Sequence, residues 1–175
     1  GDVYKRQHHG RHLGTIGIAG CVSFHETKNV VCGEGGCLLV ADDAVARTAE
    51  IVREKGTNRT AYLRGEIDRY TWVGPGGSYV MSDLLAAVLE VQLDRLEAIT
   101  EARRRIWQIY HNGLERLEKE GLLRRPTLPP GTVHNAHIYA VRARSRGLRA
   151  HLLDGLRAAG IQATFHFQPL HAAPF

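Results

Sequence analysis

No apolar run in this 175-residue chain approaches the roughly 20 residues that a membrane span requires, and the mean hydropathy is -0.24. Nor does a charged stub followed by an apolar core open it, so the sequence reads as a soluble, cytoplasmic protein with no membrane partner. Cysteine is scarce. Cys21, Cys32 and Cys37 cannot all pair, and their spacings are not the close pairs of a zinc ribbon, so reduced thiols are expected and a disulfide scaffold is not. Internal repeats and low-complexity tracts are lacking too. An apolar content of 43% is enough for a core, which sets disordered and collagen-like classes aside.

Charge is mildly one-sided. The 23 lysines and arginines against 18 acidic residues give a formal charge of +5 and a pI of about 9.4. That excess favours anionic partners without choosing among nucleic acid, phosphate esters and acidic substrates. The chain starts at Gly1 and stops at Pro174-Phe175 directly after a strand-like run, the pattern expected of a fragment. Residues 1–7 match nothing that follows and carry no argument.

Short apolar runs flanked by glycines, residues 16–24 and 37–41, predict two buried strands separated by a polar loop and Gly33-Glu34-Gly35-Gly36. Asp42-Asp43 offers an N-cap for a helix over Ala44–Lys55, with Gly56 just past its end. From Thr57 to Tyr79 no periodicity persists, and the stretch reads as a long ordered loop. Ser82-Asp83 caps a helical pattern that continues to about Glu120, long enough to bend or break, with Gly121 as its stop. After a linker containing Pro126, Pro129, Pro130 and Gly131, a strand (135–141), a helix (148–159) and a strand (162–167) are expected, making the second region α/β.

Lys28 is the first candidate for chemistry, because it follows a buried strand and precedes a glycine cluster. Lost hydration near buried surface favours the free amine, a nucleophile or base, although most lysines are solvated surface charges. Ser23, five residues earlier, could donate its hydroxyl to a phosphate oxygen or simply satisfy a turn. Ten histidines invite a metal, but His8, His9 and His12 lie in the opening stretch, and His166 and His171 straddle Pro169 without a helical i, i+4 face, so no metal site is expected. Arg103-Arg104-Arg105 reads as a solvated helix face. Arg59 and Arg64, in the long loop, could meet a diphosphate or form surface salt bridges.

SFHETKN, GEGG, VREKGTNR, SYVMSDLLAA, NAH and FHFQPLH occur in an order and spacing that resemble the DegT/StrS-type family of sugar aminotransferases over residues 10–175. Within it the chain looks most like the branch that aminates TDP-4-keto-6-deoxyglucose. The resemblance implies the α/β, aspartate-aminotransferase-like fold of PLP-dependent transferases (fold type I). Residues 1–95 would be the C-terminal part of the large PLP-binding domain, and 96–175 an incomplete small domain. It implies pyridoxal 5'-phosphate (PLP) as cofactor and Lys28 as the residue that forms the Schiff base with it, where some dehydratase relatives carry His. Ser23 and Ser78 would contact the cofactor phosphate. Ser78 and Val80 stand where the family often has the Asn and Arg of an Asn-x-Arg-Met segment reaching the neighbouring subunit's cofactor. His166 and Arg59 become candidate substrate contacts.

The implied reaction moves the amino group of L-glutamate to a nucleotide-linked keto sugar, most specifically TDP-4-keto-6-deoxy-D-glucose to TDP-4-amino-4,6-dideoxy-D-galactose, for a bacterial surface polysaccharide or antigen. A homodimer with active sites at the subunit interface is implied, and no nucleic-acid partner. The family's acidic partner of the pyridinium nitrogen lies upstream of the region corresponding to His9–Gly14, so this chain alone is expected to be inactive. Two alternatives stay open: a 3-keto sugar or cyclitol ketone as substrate, or a non-catalytic basic helical module binding nucleic acid or another anion through residues 95–125.

Overall fold

The computed structural model describes residues 6–165 and 168–174. In chain order the elements are β1 (Gln7–His8), β2 (Arg11–His12), β3 (Ala19–Ser23), β4 (Gly36–Val40), α1 (Asp43–Arg53), α2 (Arg59–Leu63), α3 (Asp83–Asp94), α4 (Leu96–Gly113), α5 (Glu115–Lys119), β5 (Leu123–Arg124), β6 (Thr132–Val133), β7 (Arg142–Ala143) and α6 (Arg146–Ala158), with a 3-10 turn at Leu170–Ala172. They group into two compact units. One holds the residues up to Gln108 together with Thr127–Ile138, and the other holds Ile109–Pro126 and the residues from Tyr139 onward.

The core of the first unit follows from alternation along β3. Val22 and Phe24 share a face and are buried, while Ser23 between them points to the other side. Val30 and Cys32, on the returning loop, join the same buried cluster, and Leu39, Met81, Leu85, Leu89, Leu93 and Leu96 pack against it. The spacing Leu85, Leu89, Leu93 lays one stripe of α3 along the hairpin. β3 and β4 pair antiparallel from Ala19↔Val40 to Ser23↔Gly36, so the two expected strands form one hairpin. A second, unexpected hairpin joins β1 and β2. His9 and Gly10 both adopt positive φ (48° and 75°), as a two-residue turn between twisted strands requires, and β6 pairs on the other edge of β1.

Helix starts follow the sequence closely. The Asp42 carboxylate accepts from the N–H groups of Ala44 and Val45, Ser82 Oγ accepts from Leu85, and Ser145 Oγ accepts from Leu148. The long helical pattern is broken twice, at Arg95 (φ -95°, ψ 3°) and Leu114 (φ -93°, ψ 2°), giving α3, α4 and α5. The strand expected over 135–141 does not form, because Ala136 takes a left-handed φ of 51° that no continuous strand accommodates. Of the strand expected over 162–167, residues 162–165 form none, and 166 and 167 lie outside the described residues. Among the described residues no helix is long and apolar enough to cross a membrane.

In the second unit Glu118 joins α5 to β5. Its two oxygens accept from the Arg125 backbone N–H and Nε, both at 2.7 Å, while the same guanidinium donates to the His111 carbonyl. These bonds hold the Glu118 carboxyl below its usual range, the backbone donor contributing most.

Candidate active site

The buried end of β3 delivers the chain into the turn that carries Lys28. Phe24 anchors that exit: its N–H donates to the Gly35 carbonyl at 2.8 Å and its own carbonyl accepts from Cys32 at 2.9 Å. Glu26 N–H reaches the Gly33 carbonyl at 2.9 Å, so residues 24–35 close on themselves as a stem. Gly35 lies at the neck of that stem, where a Cβ would sit 2.5 Å from Met81 Cε and 2.8 Å from Cys32 Sγ, so a larger residue there would have to displace those side chains. The Cys32 thiol is buried, and this raises its pKa, with the Glu34 charge adding to the effect. It packs as a protonated thiol and is no nucleophile.

Within the stem the candidates are linked in series. Ser23 Oγ accepts from the His25 N–H at 3.4 Å, and the His25 carbonyl accepts from the Lys28 N–H at 2.9 Å. His25 Nδ1 accepts from the Thr27 N–H at 3.2 Å, which places the ring proton on Nε2, 3.4 Å from Glu34 Oε1. Lys28 and Ser23 are both half-buried. Primary amine and hydroxyl thus stand five residues apart on one backbone-locked turn, where the sequence placed them.

The long loop brings Ser78 to a different anchor, the end of α1. Lys55 N–H donates to the Gly77 carbonyl, Gly77 N–H to Val52, and Tyr79 N–H to Arg53, at 2.9, 2.9 and 3.0 Å. Ser78 itself forms an antiparallel bridge with Glu54 and is exposed. Gly56, with φ 77°, is the pivot, and the Gly74 carbonyl lies against the place where its Cβ would be. Arg59 donates to Glu54 Oε1 at 2.9 Å. Arg64 grips both oxygens of Glu50 at 2.7 and 3.0 Å and also reaches Glu66 at 2.6 Å, and its hydrogen bond is the largest reason that the Glu50 carboxyl lies below its usual range. Both arginines are therefore engaged by carboxylates. His166, the other candidate substrate contact, lies outside the described residues. Among the described residues no three His, Cys, Asp or Glu side chains are grouped to hold a metal ion.

One part of the site was not visible as such in the sequence. The segment His134–His137, noted there only as part of a motif, packs beside the Lys28 turn. Asn29 Nδ2 donates to the Asn135 carbonyl at 2.6 Å, and Asn29 Oδ1 lies 3.1 Å from His137 Nδ1. From α4, Arg104 Nε donates to the His134 carbonyl at 2.9 Å and Arg103 to that of His137 at 3.4 Å, while Trp107 packs on the His134 ring. The expectation of a solvated arginine face is corrected for these two residues, which are half-buried; Arg105 is exposed. A run of like charge does not reveal which members find backbone carbonyls across the fold.

Known proteins share this architecture. The chain is 32% identical over 181 residues to the uncharacterized protein MJ1066 of Methanocaldococcus jannaschii, covering all of this chain and 45% of that protein. The aminotransferase TlmJ of Streptoalloteichus hindustanus superposes with a TM-score of 0.83 at 30% identity, over 97% of this chain and 43% of that one. The PLP form of Spr1654 of Streptococcus pneumoniae gives 0.81 at 23% identity, over 97% and 43%, and speaks for the fold alone. This chain thus spans under half the length of these relatives, and its architecture is that of part of a fold-type-I transferase. The model of the DegT/DnrJ/EryC1/StrS aminotransferase family matches residues 4–175, and the chain belongs to that family.

Proposed function

We propose that Lys28 is the catalytic lysine of a PLP-dependent sugar aminotransferase of which this chain forms part. The observation that carries the reading is the locked turn holding the Lys28 amine and the Ser23 hydroxyl half-buried and five residues apart. That donor set fits PLP: a primary amine for its aldehyde and a hydroxyl for its phosphate. When bound, PLP supplies an aldehyde that captures amines and a ring that takes up the electron pair left when a donor's α-C–H bond breaks. Ser23 Oγ accepts from His25, so its own proton is left to donate to a phosphate oxygen. Lys28 Nζ would take the proton from the donor's α-carbon and, in the second half of the reaction, deliver a proton to the sugar's former ketone carbon as that carbon is aminated.

In this reading Ser78 reaches the cofactor phosphate of a neighbouring subunit in a homodimer, residues 1–95 belong to the large domain and 96–175 to the small one. Arg59, which the Glu54 carboxylate holds in this structure, and His166 are assigned as contacts of the sugar nucleotide on the family resemblance. The donor is L-glutamate and the acceptor TDP-4-keto-6-deoxy-D-glucose, giving TDP-4-amino-4,6-dideoxy-D-galactose. Family membership supports the reaction type, and the SFHETKN and SYVMSD segments support the substrate branch.

Borohydride reduction of the full-length protein with PLP, followed by peptide mass mapping, is expected to place the pyridoxyl group on Lys28. Lys28→Ala is expected to lose that label and about 10²–10⁴-fold in glutamate-dependent amination rate. Ser23→Ala should keep the label and weaken PLP binding about tenfold. A label on another side chain overturns the assignment, and amination of a 3-keto sugar alone replaces the substrate.

A further inference from the structure

Lys28 is followed by a residue whose side chain is committed on both ends. Asn29 donates through Nδ2 to the Asn135 carbonyl at 2.6 Å, and a carbonyl can only accept, so this bond fixes which way the amide points. Asn29 Oδ1 is then the atom facing His137 Nδ1 at 3.1 Å, and because that oxygen can only accept, the His137 ring carries its proton on Nδ1.

The acceptor and the donor that Asn29 meets are brought together by one sharp bend. Ala136 adopts φ 51°, and the buried Asn135 side chain stabilises the bend, its Oδ1 accepting from the His137 N–H and from Arg6 Nε, both at 3.3 Å. Left-handed backbone is strained at an alanine and persists where its surroundings over-determine it. Arg103 and Arg104 hold the same bend from α4 through the His137 and His134 carbonyls.

We infer that Asn29 and His137 are positioning residues for Lys28. Through the bend at Ala136 they fix the backbone immediately after the lysine, as the bond to His25 fixes its N–H. The Lys28 side chain then leaves a turn pinned on both sides, and the entropy of orienting that turn is lost on folding and not on cofactor capture. The inference rests on Lys28 being the cofactor-attaching lysine. It also accounts for an asparagine at position 29: an aspartate there would set a carboxylate against the Asn135 carbonyl.

The test uses the full-length protein and PLP itself, with two readouts that need no turnover: the PLP dissociation constant and the rate at which borohydride-trappable pyridoxyl appears on Lys28. Asn29→Ala and His137→Leu are each expected to lower the attachment rate about tenfold and to raise the dissociation constant by a similar factor. His137→Asn, whose amide nitrogen stands where the ring Nδ1 does, is expected to restore most of the rate. A role in bulk stability alone would leave the Asn and Leu variants equally impaired, and that result overturns the inference. So do unchanged values in both Asn29→Ala and His137→Leu. Should Asn29→Ala fail to fold, the two His137 variants decide. A parent protein labelled elsewhere than Lys28 would instead sink the functional reading.

Discussion

The candidacy of Lys28 and Ser23 could be raised from sequence because the two are local: they lie on one strand end and the turn after it, linked by the bonds Ser23–His25–Lys28 across five positions. Asn29 and His137 were not, since they meet across 108 positions and neither flanking segment hints at the other. Glu118 illustrates the same limit in the second unit, where its partner is set by the return of the chain at Arg125. The resulting ion pair makes a pH prediction of definite sign. Glu118 has a folded pKa below its unfolded value, so its contribution is present above the ordinary carboxyl range and is lost as pH falls through the depressed folded value. Glu118→Gln should therefore melt below the parent protein at pH 7, with the gap persisting to about pH 5 and closing below about pH 4. Thermal melts of both proteins across that range check it, and a gap independent of pH would assign the effect to packing.

Elements whose limits are set by caps and periodicity were read well from sequence: the Asp42 and Ser82 caps open α1 and α3 as anticipated, α6 starts two residues ahead of the expected Leu148 behind a Ser145 cap, and the strands at Ala19–Ser23 and Gly36–Val40 fall within three residues of the limits of the apolar runs. Elements set by distant partners were missed. Residues 135–141 carry strand-like apolar content, yet Asn135 and His137 spend their polar groups on Asn29, and the bend at Ala136 follows. The break at Arg95 has no glycine or proline to announce it, whereas Gly113 stands directly before the one at Leu114. The long loop shows how backbone proximity, invisible to composition, makes particular glycines obligatory. A Cβ on Gly76 would run into the backbone of Lys55 and Gly56, whereas one on Gly113, at the end of α4, meets nothing within 4 Å. Gly76→Ala is expected to cost about 1–3 kcal/mol of stability and to displace Ser78 with the loop. Gly113→Ala should instead be neutral or stabilise by up to about 1 kcal/mol. Denaturant titration of the two variants checks the contrast, and equal effects would refute the role given to the close approach of Gly76.

At the scale of the molecule the decisive feature is that α3 is apolar on two sides. Leu85, Leu89 and Leu93 face the hairpin, but Leu84 (82% exposed), Val88 and Val91 form a second stripe open to water, and Trp72, Tyr79 and Val80 are exposed on the loop that leads into the helix. A helix that is apolar all round belongs in an interior. Exposed apolar area of this kind drives association when nothing covers it. The 175-residue chain produced by itself is therefore expected to self-associate and to bind a hydrophobic dye such as ANS. Leu84→Glu with Val91→Lys, which alters the open stripe and leaves Leu85, Leu89 and Leu93 in place, should reduce both signals several-fold in light scattering and dye fluorescence. In the longer protein proposed above, the same pair of substitutions should do the reverse and impair folding, because a covered stripe would bury the charges without partners. Equal solubility of the isolated chain with and without the substitutions would show that the second stripe does not govern its association.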